Sequence, residues 1–285
     1  MKTYQNFDLT NYNAYRLNSF CTRAFFPETM NELVSLVTGF GGDKFQLLGS
    51  GHNVILSKRF YDEPFVILAR NFSSMSLKGT NITADAGARL EELSQIAADH
   101  SLSGLEPFYD IPSSVGGAVV MNAGNADAEI SQFLTSITYY CLATNEMRSI
   151  APKDCGFIYR NSIFQDDQTK LILSAELKLK EGDKDNIWKK MMSIKEARWA
   201  KQPRTLPNCG SVFKRPEGYF VGALIDGVGL RGSEVGGAQI SPKHAGIIVN
   251  NGNATGVDIL TLIRRAQKAV MEQCGVMLEV EQRII

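Results

Sequence analysis

Ile111-Pro-Ser-Ser-Val-Gly-Gly-Ala-Val-Val-Met-Asn-Ala-Gly124 carries no charged side chain and is built from small, apolar and glycine residues. A long run of this kind inside a folded domain is often functional. Ser113, Ser114, Gly116 and Gly117 leave room for a bulky planar group or a pyrophosphate. The run lacks the Gly-x-Gly-x-x-Gly pattern that marks a dinucleotide site in a doubly wound sheet. On these residues alone, a cofactor loop and an ordinary packed turn are equally good readings.

Outward from this run, strands and helices mix without a regular βαβ rhythm, which predicts an α+β fold. Toward the N-terminus the pattern predicts a helix over 28–38, opened by Pro27 and early Glu residues, with Leu33, Leu36 and Val37 on one stripe. Short buried strands are expected at 45–48, 65–69 and 81–86, and an amphipathic helix over 90–100 with Leu90, Leu93, Ile96 and Ala97 inward. Toward the C-terminus the expectations are strands at 136–142 and 170–179 and a charged helix over 184–200. Then come a two-proline loop at 202–208, helices at 219–227 and 256–274 around a strand at 246–250, and a closing strand at 277–284.

Composition narrows the class. Thirty Lys and Arg balance thirty Asp and Glu, so the net charge is zero and nothing points to a nucleic-acid or membrane-surface partner. The five cysteines form no Cys-x-x-Cys pair and the three histidines are dispersed, which argues against a disulfide framework and predicts no metal site. The N-terminus lacks the basic start and apolar run of a secretory signal, and no apolar run is long enough to span a bilayer, so a cytoplasmic chain is expected.

Two more glycine-marked loops stand out. In Leu48-Gly-Ser-Gly-His-Asn-Val-Ile-Leu56 a strand runs into Gly49, Ser50, Gly51, His52 and Asn53. Glycines there allow close backbone approach, and successive amides can form an anion-binding concavity; a plain tight turn is the competing reading. Asn208-Cys-Gly-Ser-Val-Phe-Lys-Arg-Pro216 puts a hydroxyl beside a basic pair, which a surface turn with solvated charges also explains.

Taken in order, these segments resemble the UDP-N-acetylenolpyruvoylglucosamine reductase family from about residue 44 onward. The resemblance also covers Phe157-Ile-Tyr-Arg-Asn-Ser-Ile-Phe164, Gly236-Gly-Ala-Gln-Ile-Ser-Pro-Lys-His-Ala245, Val249-Asn-Asn-Gly-Asn-Ala-Thr255 and Leu278-Glu-Val-Glu-Gln-Arg-Ile284. The spacing of 51 residues from Arg160 to Ser211 resembles the subtype without an extra tyrosine loop over the substrate. The chain departs from the family at Asn18-Ser-Phe-Cys-Thr-Arg23, where Gly-Gly is common, at His52, where Ser is usual, and at Ser113, where Gly is frequent.

The resemblance implies a two-lobed FAD-binding domain of the vanillyl-alcohol-oxidase (PCMH) type over 16–181. A joining helix and loop would occupy 182–205 and a smaller α+β substrate domain 206–285, with the last strand free to return to the FAD domain. It implies FAD and NADPH as cofactors, a UDP-sugar carrying an enolpyruvyl ether as substrate, and a monomer. It implies FAD contacts from Gly49, Ser50, Gly51, His52, Asn53, Pro112, Ser113, Ser114, Gly116, Gly117, Asn122 and Ala123. Arg160, Ser211 and Glu281 are implied as the catalytic set, and Tyr159, Lys214 and Arg215 as substrate contacts. Glu279, two positions from Glu281 on one strand face, competes with it for the acidic role. A divergent paralogue acting on another nucleotide sugar, or a flavin-binding protein without turnover, stays open.

Overall fold

The pairing of Lys170–Lys178 with two neighbours at once organises the larger unit. In the computed structural model, which describes residues Met1–Ile285, this strand lies antiparallel between Leu134–Cys141 and Asn81–Asp85. Glu146–Ile150 and Met75–Lys78 complete a five-stranded sheet in the order 146–150, 134–141, 170–178, 81–85, 75–78. Alternation sets its buried face: Leu171, Leu173, Ala175 and Leu177 pack with Ile82, Ala84 and Ile137. Against this core lie α1 (Met30–Gly39), α2 (Leu90–Asp99) and α3 (Val115–Val120), through Leu33 and Val37, Leu90, Leu93 and Ala97, and Val115, Ala118 and Val119. Thr29 caps α1 by accepting from the Glu32 amide, so the helix starts two residues later than the pattern predicts. Parallel pairing of Ala24 with Phe65 and of Leu47 with Val66 adds a second small sheet beneath α1. α4 (Ile163–Asp166) seats Phe164 in the same core, and α5 (Lys184–Lys201) buries Ile187 and Met191 beside Tyr109.

This unit comprises 1–4, 24–50 and 65–197; the other comprises 5–23, 51–64 and 198–285. The expected boundaries at 181 and 206 are contiguous in sequence, whereas the compact units interleave. The reason is visible in the second unit's pairing. Arg283–Ile284 runs parallel to Val54–Ile55, and Phe20–Cys21 runs parallel to Phe60–Tyr61. Asn250 Nδ2 donates to Tyr15 O at 2.8 Å, joining the 5–23 segment to the strand Ile248–Asn250. That strand is the edge of a three-stranded antiparallel sheet with Glu234–Val235 and Ala238–Ile240. The sheet is backed by α7 (Gly256–Cys274), which also packs on α6 (Val221–Gly227). α7 begins with a reciprocal capping box between Thr255 and Asp258 and ends on Gly275 in the left-handed region.

Two expectations need correction. The glycine-rich run is not a loop throughout, because Ser114 accepts from the Gly117 amide and starts α3, so Gly116 and Gly117 sit in its first turn. The expected strand at 277–284 is reduced to a bridge at Val280 and the short strand Arg283–Ile284, with a change of partner between them. Val280 bridges Phe213, and the chain then leaves that segment to pair at 283–284 with 54–55. The switch falls at Gln282, whose side chain is buried.

Candidate functional site

In the first unit the loop following Gln46–Leu48 is tied to the segment that opens α3. Ser50 Oγ, next to Gly49, donates to Pro112 O at 3.3 Å and lies 3.3 Å from the Ser114 amide that donates to it. Ser113, half-buried between them, donates its hydroxyl to Ser114 O. Gly116 meets the end of the 81–85 strand so closely that a Cβ there would lie 2.8 Å from the Ala86 Cβ, which excludes any larger residue without a shift of the helix. The structure therefore gathers Gly49, Ser50, Pro112, Ser113, Ser114, Gly116 and Gly117 into one small-residue, uncharged cluster in which Ser114 and Gly116 are buried.

α3 runs directly into Met121–Gly124. Asn122 is buried with φ +43°; its carboxamide donates to Glu129 at 2.8 Å and to Ile158 O, and accepts from the Ser131 amide. The Ala123 amide donates to Ala118 O. Arg160 also has a positive φ, +56°, a conformation that costs a non-glycine residue about 1 kcal/mol or more and persists only when its surroundings hold it. Here the holders are identifiable. The guanidinium donates to Gly124 O at 2.6 Å and to Asn122 O at 3.4 Å, and lies 4.9 Å from the centre of the exposed Tyr159 ring. A fixed guanidinium over an aromatic face is suited to a planar carboxylate.

In the second unit the 51–54 turn, the 208–214 segment and the 279–283 segment converge. Gly51 has φ +70°, and a Cβ on it would lie 2.0 Å from Tyr12 O, so only glycine serves there. His52 is exposed on the turn, and Asn53 Nδ2 donates to Glu281 O at 3.2 Å. The Lys214 amide donates to Glu279 O and the Glu281 amide to Val212 O, at 2.9 and 2.8 Å, which lays the segment carrying Ser211 alongside the one carrying Glu281. Ser211 is exposed and bridges Ile247 on its other side.

The two competing carboxylates differ. Glu279 is exposed and paired with Lys214 at 2.6 Å, whereas Glu281 is half-buried. Lys214 is thus committed to an ion pair, and Arg215 lies on the surface with its guanidinium 3.9 Å from the Phe220 ring centre. His244 accepts from the Gly246 amide at 3.2 Å, and burial holds its imidazole below the usual histidine range, which suits a structural, neutral ring.

Cys209, two residues before Ser211, is buried with its thiol near Val54 O, and burial pushes it from 9.0 up to about 12. The folded state keeps that thiol protonated while the unfolded chain ionises it. This contribution is therefore complete below about pH 9 and is lost as pH rises toward about 12. We expect the urea midpoint to fall between pH 8 and pH 10, and Cys209→Ala to flatten the slope by up to about 1.4 kcal/mol per pH unit. An equal slope in the variant refutes the assignment.

Sequence reasoning passed over Tyr15 and Gln282. Both are buried, and the Tyr15 hydroxyl donates to Gln282 Oε1 at 2.9 Å. The signal was available in the alternation Leu278, Val280, Gln282, where an amide occupies the inward register.

Comparison with known proteins adds a second line of observation. Residues 202–285 match the family described as UDP-N-acetylenolpyruvoylglucosamine reductase, C-terminal domain, and residues 22–148 match the FAD binding domain family. A protein of Francisella tularensis subsp. tularensis named UDP-N-acetylenolpyruvoylglucosamine reductase is 41% identical over 97% of this chain and 98% of its own. One of the same name from Lactobacillus acidophilus is 40% identical over 91% of this chain and 87% of its own. The crystal structure of UDP-N-acetylenolpyruvylglucosamine reductase from Thermus caldophilus is similar with a TM-score of 0.84, at 33% identity over 99% of this chain and 98% of that one.

Proposed function

Because the chain belongs to the UDP-N-acetylenolpyruvoylglucosamine reductase family, it is an FAD-dependent reductase of peptidoglycan precursor synthesis that uses NADPH, and we propose that Arg160, Ser211 and Glu281 carry its chemistry. Its fold is α+β, with an FAD-binding part of the vanillyl-alcohol-oxidase type. The observation that carries the assignment is end-to-end similarity to relatives of that name, joined to an uncharged, glycine-bearing cluster whose residue types suit a flavin nucleotide. A Cβ at Gly49 would lie 2.6 Å from Ser114 Oγ, and Ser50 and Ser114 are tied together beside it.

The reaction reduces the enolpyruvyl ether of UDP-N-acetylglucosamine enolpyruvate to UDP-N-acetylmuramate. When bound, FAD reduced by NADPH would supply the hydride that the terminal carbon of the double bond accepts. Negative charge then grows toward the conjugated carboxylate, where a preplaced guanidinium stabilises it, the role given to Arg160. The Ser211 hydroxyl gives a proton to the neighbouring carbon. Glu281, beside the carboxylate, acts in its protonated form or shares a proton. We assign flavin contacts to Gly49, Ser50, Gly51, His52, Asn53, Pro112, Ser113, Ser114, Gly116, Gly117, Asn122 and Ala123. Tyr159, Lys214 and Arg215 are assigned to the sugar nucleotide, for which Lys214 exchanges Glu279 for an anionic group.

The functional division follows sequence: FAD over 16–181, a joining segment over 182–205 and substrate over 206–285. The working form we propose is a cytoplasmic monomer without a nucleic-acid partner. No helix is long and apolar enough to cross a membrane.

The deciding experiment is simple. Purified protein is expected to be yellow and to oxidise NADPH only when the enolpyruvyl UDP-sugar is present. Flavin-loaded protein that ignores this sugar sinks the substrate assignment and leaves a paralogue or a non-turning-over flavoprotein.

A further inference from the structure

The geometry points to Gln282 as the residue that positions the Ser211 hydroxyl, with Tyr15 fixing the orientation of the Gln282 carboxamide; this rests on the role proposed above for Ser211. Gln282 is 3% exposed, and its Nε2 lies 3.3, 3.3 and 3.2 Å from the carbonyl oxygens of Cys209, Gly210 and Ser211. Three consecutive carbonyls converge on one amide nitrogen only if the chain curls. The curl is made at Gly210, with φ +72°. The other end of the carboxamide settles which atom is which. Nε2 faces three acceptors and Oε1 faces the Tyr15 hydroxyl, a donor, so a single orientation satisfies both ends. Tyr15 cannot yield easily, because its ring is fully buried and its own carbonyl accepts from Asn250. Burial also holds the Tyr15 hydroxyl well above its ordinary range, so it remains a donor.

Other bonds keep the segment in place without Gln282. The Gly210 amide donates to Asn208 Oδ1 and the Val212 amide to Gly246 O, both at 3.0 Å. What Gln282 adds is control of the curl over 209–211, which sets where the exposed Ser211 side chain points. A displacement of about 1 Å at a reacting group can cost on the order of a hundredfold in rate. An apolar side chain at 282 leaves the carbonyls without this donor while conserving bulk, and a carboxylate would repel them.

The test uses the full-length, FAD-loaded protein and resolves two half-reactions by stopped flow: flavin reduction by NADPH and reoxidation by the enolpyruvyl UDP-sugar. Gln282→Leu is expected to slow reoxidation by about tenfold or more, while flavin reduction and substrate KM stay within about twofold. Tyr15→Phe, which keeps the ring and removes only the hydroxyl, is expected to shift the same half-reaction in the same direction by less. If Gln282 acts through Ser211, adding Gln282→Leu to Ser211→Ala brings little further loss; independent, multiplying losses overturn the proposal. It is also overturned by folded, flavin-loaded Gln282→Leu that reoxidises at the parental rate. Should that variant fail to fold, Tyr15→Phe decides: parental reoxidation in Tyr15→Phe overturns the proposal and a selective loss supports it. Ser211→Ala alone reoxidising at the parental rate instead removes the reading on which the proposal rests, an outcome distinct from failure at Gln282.

Discussion

Ser211→Ala is expected to leave reduction of the bound flavin by NADPH within about twofold and to slow reoxidation by the enolpyruvyl UDP-sugar by roughly 10²–10⁴, the usual worth of a positioned proton donor. The argument is local. Ser211 is exposed at the end of a segment that is otherwise buried or bonded: Cys209 and Val212 lie inside, and the Val212 amide is held by Gly246. Removing one exposed hydroxyl from such a segment perturbs little besides its chemistry. Stopped-flow absorbance of the flavin separates the two steps. Parallel loss of both rates would show that the substitution damages the cofactor site, and the proton-donor role would then be abandoned.

Arg160→Met is expected to produce the other large effect, a fall in substrate-dependent reoxidation of roughly 10²–10³ through loss of a preplaced donor. A second consequence separates it from Ser211→Ala. The guanidinium also donates to the carbonyls of Asn122 and Gly124, so its removal loosens that turn and relieves nothing of the positive φ at 160. Flavin content after dialysis is therefore expected to drop in Arg160→Met and to stay unchanged in Ser211→Ala. Arg160→Lys should recover only part of the rate, because a single ammonium is a point charge without the planar fork. Reoxidation of Arg160→Met within tenfold of the parent, measured on fully flavin-loaded protein, would remove Arg160 from the catalytic set.

The sequence was legible where periodicity is strong. Leu33 and Val37, Leu90, Leu93 and Ala97, and the alternation of 170–178 all lie inward as the pattern demands. It was less legible where tertiary partners decide. The strands Lys2–Asp8 and Phe20–Phe26 were not foreseen, because the parallel partners of the second come from residues 60–66, some forty positions away, and its own pattern is not distinctive. α3 was hidden by its glycines, which weaken any helical expectation; the helix forms because Ser114 caps it and Val115, Ala118 and Val119 have a core to enter.

The site divides in the same way. Arg160 and Ser211 were selected through motif order. The bonds that orient them come from residues far off in sequence: Asn122 and Gly124 for the first, Gln282 and Tyr15 for the neighbourhood of the second. Polar residues bonded to main-chain carbonyls leave no spacing signature, since a carbonyl belongs to every residue type. Lys214 shows the converse, where a charge marked as a ligand contact is engaged by Glu279, a partner 65 residues on.

The interleaved make-up of the second unit has a consequence for how the chain is made. Leu9, Tyr15, Leu17, Ile55, Leu56 and Tyr61 are all nearly solvent-free in the finished protein, yet their unit is completed only by residues from 198 onward. On a ribosome these early apolar side chains wait through the synthesis of at least some 130 further residues, roughly 7–26 seconds at about 5–20 residues per second. The intervening 65–197 stretch holds most of the other core and can collapse meanwhile, leaving sticky flanks that await a late partner. Nascent-chain holdases would find their natural targets in those flanks, and slow closure of long loops, more than weak packing, would set the yield of soluble enzyme.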